Sequence, residues 1–166
     1  MSKVKFETSK TEGKHFDMSL WEGEWEGITK TWFEPNVLSD ESPMSATMRP
    51  VLNGMFMLFE YAGSITGKPF SGMMMLGNYL LNNKFQSSWI DSFHMGTGIM
   101  FSESKAEENK FSVLGSYDTG VENEPHWGWK TTIEMPEKNK LIVTAYNVTP
   151  QGEEAKATET VFTRKK

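Results

Sequence analysis

The chain contains no cysteine, which excludes disulfides, thiolate catalysis and zinc sites of the Cys type and leaves the redox compartment open. Basic residues are in the minority: 17 Lys and Arg against 22 Asp and Glu, a net charge of −5, with the Lys and Arg scattered. A nucleic-acid surface needs them clustered for phosphate neutralisation, so no nucleic-acid partner is expected. No apolar run approaches the roughly eighteen residues that a membrane helix requires, and no membrane insertion is expected. The first residues, MSKVKFETSKTEGKHFD, are charged and lack the apolar region of a secretory signal, so the expected location is cytoplasmic. H-E-x-x-H, G-x-S-x-G, G-x-G-x-x-G and Walker motifs are all missing, and neither a metal nor a cofactor is expected.

What the chain has in quantity is aromatic residues, methionine and glycine: six Trp, four Tyr, eleven Phe, twelve Met and fourteen Gly in 166 residues. Such a supply can line a large apolar interior in which methionine fills irregular gaps, either a cavity or a Met-rich solid core. The length fits one domain able to bury roughly 70% of its unfolded surface. We divide it into an N-terminal tail, residues 1–13, and a single barrel domain, residues 14–166.

Apolar and polar residues alternate with a period of two in segment after segment, with Gly, Pro, Asn and Asp clusters between them. The pattern predicts strands over 24–34, 43–49, 54–62, 70–79, 84–92, 97–103, 110–118, 127–135, 139–147 and 155–164. Tight connections such as Glu137-Lys138-Asn139 and Pro150-Gln151-Gly152 favour antiparallel neighbours. The expected fold is all-β: a single antiparallel up-and-down barrel of about ten strands, closed because closure removes exposed edges. A short N-terminal helix between Gly13 and Leu20 would close one mouth. Acid-rich Glu103 to Glu108 and Val121 to Glu124 read as loops, and the longer connection Asp118 to Pro125 as a lid.

Alternation also assigns faces. Phe85, Ser87, Trp89 and Asp91 share the inward face of the fifth strand. Tyr117 points in from the seventh, Trp127 and Trp129 from the eighth, and Trp25, Thr29, Thr31 and Phe33 from the first. Met55 to Tyr61 is apolar on both faces and cannot be sorted.

An inward carboxylate must be hydrogen-bonded, paired or neutralised, so Asp91 needs partners. The chain has only two arginines, Arg49 and Arg164, both in strand-like segments, and either could reach Asp91 or receive an acidic ligand. His94 follows in SWIDSFHMGTG, on a turn at one mouth, close enough in sequence to act with Asp91 as an acid–base pair. His15, His94 and His126 lie far apart; gathering two of them with Asp91 around a metal is the weaker reading, against solvated or core histidines.

Further runs follow a family pattern: L-W-E-G-E-W-E-G with T-K-T-W-F-E-P (Leu20 to Pro35), V-L-N-G-M-F (Val51 to Phe56), P-F-S-G-M-M-M-L-G (Pro69 to Gly77), S-W-I-D-S (Ser88 to Ser92) and V-F-T-R-K (Val161 to Lys165). In order and spacing these resemble the bacterial family called domain of unknown function 1579. After Gly77 the chain reads Gly77-Asn78-Tyr79 where members usually have G-Y-D, so no role of that aspartate carries over. The resemblance implies a closed or nearly closed barrel similar to lipocalins and fatty-acid-binding proteins, within the calycins, and implies no established activity.

The preferred expectation is a binding module whose partner is a small apolar or amphipathic molecule. Phe33, Trp89, Tyr117 and Trp129 would form its wall, and Asp91, His94, Arg49 or Arg164 its polar contacts. A hydrolase or isomerase using Asp91 and His94 is the alternative, and a barrel filled by its own side chains that serves as an interaction scaffold is the third reading. A homodimer stays open.

Overall fold

The computed structural model describes residues 3–166, in which ten strands form a closed antiparallel barrel. The strands are β1 (Gly23–Glu34), β2 (Val37–Val51), β3 (Phe56–Ile65), β4 (Lys68–Tyr79), β5 (Lys84–Asp91), β6 (Met100–Lys105), β7 (Phe111–Tyr117), β8 (Trp127–Glu137), β9 (Lys140–Val148) and β10 (Glu154–Arg164). Each pairs with its neighbour in sequence, and β10 returns to β1 in a register running from Arg164 opposite Trp25 to Thr158 opposite Thr31. This is the up-and-down meander that the two-residue rhythm predicts.

Two boundaries differ for a physical reason. β2 begins at Val37 instead of near 43, because its first residues are exposed on both faces and leave no apolar alternation to read. Ser104 and Lys105, expected in a loop, belong to β6, and beside them Glu103 pairs with Lys84 across the ladder and accepts a bond from Gln86 at 3.1 Å. A ladder of opposite charges on the solvent face looks like a loop to a pattern of polarity alone.

Two helices precede the barrel: α1 (Lys3–Glu12) and α2 (Lys14–Ser19). The second matches the short helix expected between Gly13 and Leu20. The first lies within the residues expected as the N-terminal tail. Its sequence is mostly polar, and tertiary contacts hold it: Phe6 and Ser9 are buried, the Phe6 ring meets the His15 ring edge-on at 5.0 Å, and the Ser9 hydroxyl lies 2.8 Å from His15 Nδ1. Burial holds the His15 pKa below its ordinary value, against the opposing effect of a bond to the Met55 backbone.

Arg164 fastens the helices to the barrel. Its guanidinium donates to the carbonyls of Leu20, Glu22 and Lys138 and lies 4.2 Å over the Trp25 ring, whose Nε1 donates to the Trp21 carbonyl at 2.9 Å. Trp25, Met48, Leu76, Phe111, Leu141 and Phe162 are fully buried at this end. The core there is packed, and beside it a cleft of about 250 Å³ lies among α2, residues 107–111 and the end of β8. At the opposite end lie the turns 35–36 and 66–67, the loops 92–99 and 118–126, and the 149–153 connection, and the interior there is partly hollow. No helix among the described residues is long and apolar enough to cross a membrane.

Candidate functional site

The site begins with the alternation of β5. Phe85, Ser87, Trp89 and Asp91 are all buried and alternate with more exposed residues, so the strand delivers Trp89 and Asp91 to the interior at the hollow end. The chain then turns back on the carboxylate. Asp91 Oδ1 accepts the backbone N–H groups of Phe93 at 3.0 Å and His94 at 2.6 Å, an Asx-type turn in which the side chain acts as template for the loop. That turn returns the His94 ring to its own anchor, with Nδ1 2.6 Å from Asp91 Oδ2.

A second route reaches the same oxygen from β3. Tyr61 donates its hydroxyl to Asp91 Oδ2 at 3.2 Å and accepts the indole N–H of Trp89 at 2.7 Å. Tyr61 and Asp91 are not on adjacent strands: each sits opposite Gly72, which occupies the strand between them. Because Gly72 has no side chain, the phenol crosses over β4 to the carboxylate; a β-carbon there would sit 2.3 Å from the Tyr61 oxygen. Sequence reading missed Tyr61, since its segment is apolar on both faces. Hairpin arithmetic held the signal: the Thr66-Gly67 turn sets Ile65 opposite Lys68, which places Tyr61 opposite Gly72.

These bonds use all four acceptor positions of the carboxylate. Burial pushes the Asp91 pKa upward, but the His94 hydrogen bond, the His94 charge and the two backbone N–H groups together outweigh it, and the net result lies below the ordinary carboxylate value. Asp91 is therefore ionised at neutral pH. Burial and the neighbouring Asp91 charge push the Tyr61 phenol far upward, so it stays a neutral donor. The lowered Asp91 pKa means that its contribution to stability is present above the unfolded value of about 4 and is lost as pH falls through the native one. In acid titrations of thermal stability, Asp91→Asn is expected to cost about 1–3 kcal/mol at neutral pH and to flatten the acid limb below about pH 4. An acid limb identical to that of the parent protein would show that the carboxylate carries no such bias.

Around this network lie two adjoining cavities, about 240 Å³ near the mouth and about 70 Å³ beneath it. Trp89, His94, Trp129 and Thr158 border both. The Trp89 and Trp129 rings stack at 5.4 Å with 15° between planes, and His94 sits 5.5 and 5.4 Å from them. Tyr117 reaches the mouth cavity and donates to Asn147 Oδ1 at 2.9 Å. Phe33, expected inside, is 57% exposed: register shifts on either side of Trp32 break the alternation of β1, and Phe33 borders the mouth only from its rim.

Neither arginine comes near Asp91. Arg49 stands on the outer wall with Glu60, 3.4 Å away, because the alternation of β2 turns Met48 inward and Arg49 outward. Arg164 is committed at the helical end. The histidines also stay apart, His15 against the helices, His94 in the site and His126 exposed, and no cluster of three metal-ligating side chains occurs among the described residues. The carboxylate expected to meet a guanidinium meets an imidazole and a phenol instead.

Comparison with known proteins adds fold and family. A solved structure titled "Crystal Structure of Rv2717c from M. tuberculosis" superposes with a TM-score of 0.58 at 11% identity, covering 91% of this chain and 96% of its own. A designed protein, described as a "De novo design of a fluorescence-activating beta barrel", gives a TM-score of 0.49 at 12% identity, covering 90% and 98%. No curated protein matches. The family model described as "Protein of unknown function (DUF1579)" matches residues 10–164, and the chain belongs to that family.

Proposed function

We propose that the barrel binds a small, largely apolar molecule at the end opposite its helices. One observation carries this reading: at that end the interior holds two adjoining cavities walled mainly by aromatic rings and methionine, whereas the cleft of about 250 Å³ at the helical end is bordered by Lys14, Asp17, Glu107 and Lys110. The mouth cavity, about 240 Å³, falls just under the roughly 300–1,000 Å³ of pockets for drug-sized ligands, so the occupant is compact. Its affinity comes from apolar burial, about 0.8 kcal/mol per CH₂ removed from water, with a few polar groups to orient it.

The test is native mass spectrometry of gently purified protein, with a titration of 1-aminoanthracene followed by fluorescence. Thr158→Trp, which fills the boundary between the cavities, is expected to weaken probe binding at least tenfold. Equal binding by parent and variant, or no adduct and no probe binding at all, would remove the proposal.

A second reading, acid–base catalysis in the same cavity, has specific support in the 2.6 Å contact between Asp91 Oδ2 and His94 Nδ1, the geometry by which a carboxylate orients a general base. Neither cavity is lined by serine or cysteine, so the reactions it suits are isomerisation or hydrolysis by an activated water. It predicts that His94→Ala and Asp91→Asn each abolish any turnover found in an activity screen; retention in both would eliminate it.

A further inference from the structure

We infer, resting on the binding reading above, that the occupant carries a neutral phenol-type hydroxyl, which it donates to Nε2 of His94. The argument starts from proton positions. An ionised carboxylate only accepts, so the ring nitrogen 2.6 Å from Asp91 Oδ2 must carry its proton; in the neutral form of the ring, to which this inference applies, Nε2 then has a bare lone pair. The Tyr61 hydroxyl, itself held by the Trp89 indole N–H, and the backbone N–H groups of Phe93 and His94 fill the other three acceptor positions, which fixes the carboxylate as the acceptor facing Nδ1. Nε2 has no hydrogen-bond partner among the described residues, and His94 borders both cavities. A half-buried acceptor with no protein partner, at the border of carbon-walled cavities, favours a donor.

The surroundings narrow the donor. Neither cavity is lined by lysine or arginine, so a carboxylate ligand would meet no cation and would face a lone pair. An ammonium could donate, but it would enter an apolar space in which the one nearby carboxylate has no acceptor position left, and its desolvation would go uncompensated. A hydroxyl carries no such cost. An aromatic hydroxyl fits best, because it is a stronger donor than an alkyl one and its ring would lie among Trp89, Trp129 and Phe93, whose centroids are 5.5, 5.4 and 4.8 Å from that of His94. A further polar contact stands ready in the mouth cavity: Thr31 is 2% exposed, and its hydroxyl has no partner among the described residues.

Phenol, toluene, benzoate and benzylammonium share one ring and differ in the group offered to Nε2. Their dissociation constants would be measured at pH 8 by NMR shift titration with the parent protein, His94→Leu and Asp91→Asn. The affinity ratio of phenol to toluene is expected to fall about five- to tenfold in His94→Leu. It should fall likewise in Asp91→Asn, where the amide can donate to Nδ1 and move the ring proton to Nε2. Nitrogen-15 shifts of His94 in the unliganded parent protein give a reading independent of the variants: a protonated Nδ1 and a bare Nε2. A ratio unchanged in His94→Leu, tighter binding of benzoate or benzylammonium than of phenol, or a proton on Nε2 would each overturn the inference while leaving the binding reading intact. If none of the four probes binds, the binding reading itself fails and takes this inference with it.

Discussion

Gly72→Ala should lose about 2–5 kcal/mol of stability and disconnect Tyr61 from Asp91. The added β-carbon would sit 2.3 Å from the Tyr61 hydroxyl and 2.5 Å from the Asp91 β-carbon. Neither neighbour is the loose end of a flexible chain. The Tyr61 ring packs on Phe59 and Phe70, with centroids at 5.2 and 6.0 Å, and Asp91 is held by the turn it templates. Something must therefore shift: overpacking costs about 1–3 kcal/mol, and a buried acceptor left short of a donor about as much again. Tyr61→Phe separates the two contributions, because it deletes the hydroxyl without the clash and should cost only about 1–2 kcal/mol. Urea melts of both variants supply the comparison. A Gly72→Ala protein as stable as its parent, with the His94 ring nitrogens unshifted in NMR spectra, would contradict the crossing over β4.

At the other end of the barrel, Trp25→Ala should cost about 3–5 kcal/mol, a fall in melting temperature on the order of 10 °C. The side chain is 0% exposed, and three interactions of different kinds meet on it: core packing, the Nε1 bond to the Trp21 carbonyl, and the Arg164 guanidinium stacked over its face. Loss of the indole leaves a cavity that a closed barrel cannot readily collapse, and frees the clamp holding α2 to β10. Amide exchange in α2 should therefore accelerate more than exchange in β4 and β5. Trp25→Phe keeps most of the apolar volume but not the N–H donor, and should fall between parent and alanine variant. Uniform acceleration across all strands, with α2 no more affected than the rest, would show that Arg164 and Trp25 do not couple helix to barrel.

The two ends differ in how far they were legible beforehand. The inward direction of Trp89 and Asp91 followed from β5 alone, because polar residues on one side and buried ones on the other leave a single way to lay the strand. The exposed half of β2, the charged ladder of β6 and the polar helix α1 gave no such contrast. Phe33 went astray through a local irregularity beside Trp32, which alternation cannot see. Arginine suggests itself as a partner for Asp91 because charge type is visible in a sequence, whereas reach is not: Arg49 faces outward by the same parity that turns Met48 in, and Arg164 is spent on backbone carbonyls.

Local chemistry, then, determined the ten strands, their antiparallel order and the burial of one aspartate, since each depends on neighbours within a few residues. Tertiary structure decided the rest. Tyr61 and Asp91 are thirty residues apart and meet only because two hairpin registers place both opposite Gly72. His94 turns back to its own strand because backbone N–H groups need acceptors where the barrel ends, and the nearest is the Asp91 carboxylate. Where the aromatic-walled cavities lie was decided by where the large side chains of ten strands fall in height once the sheet closes.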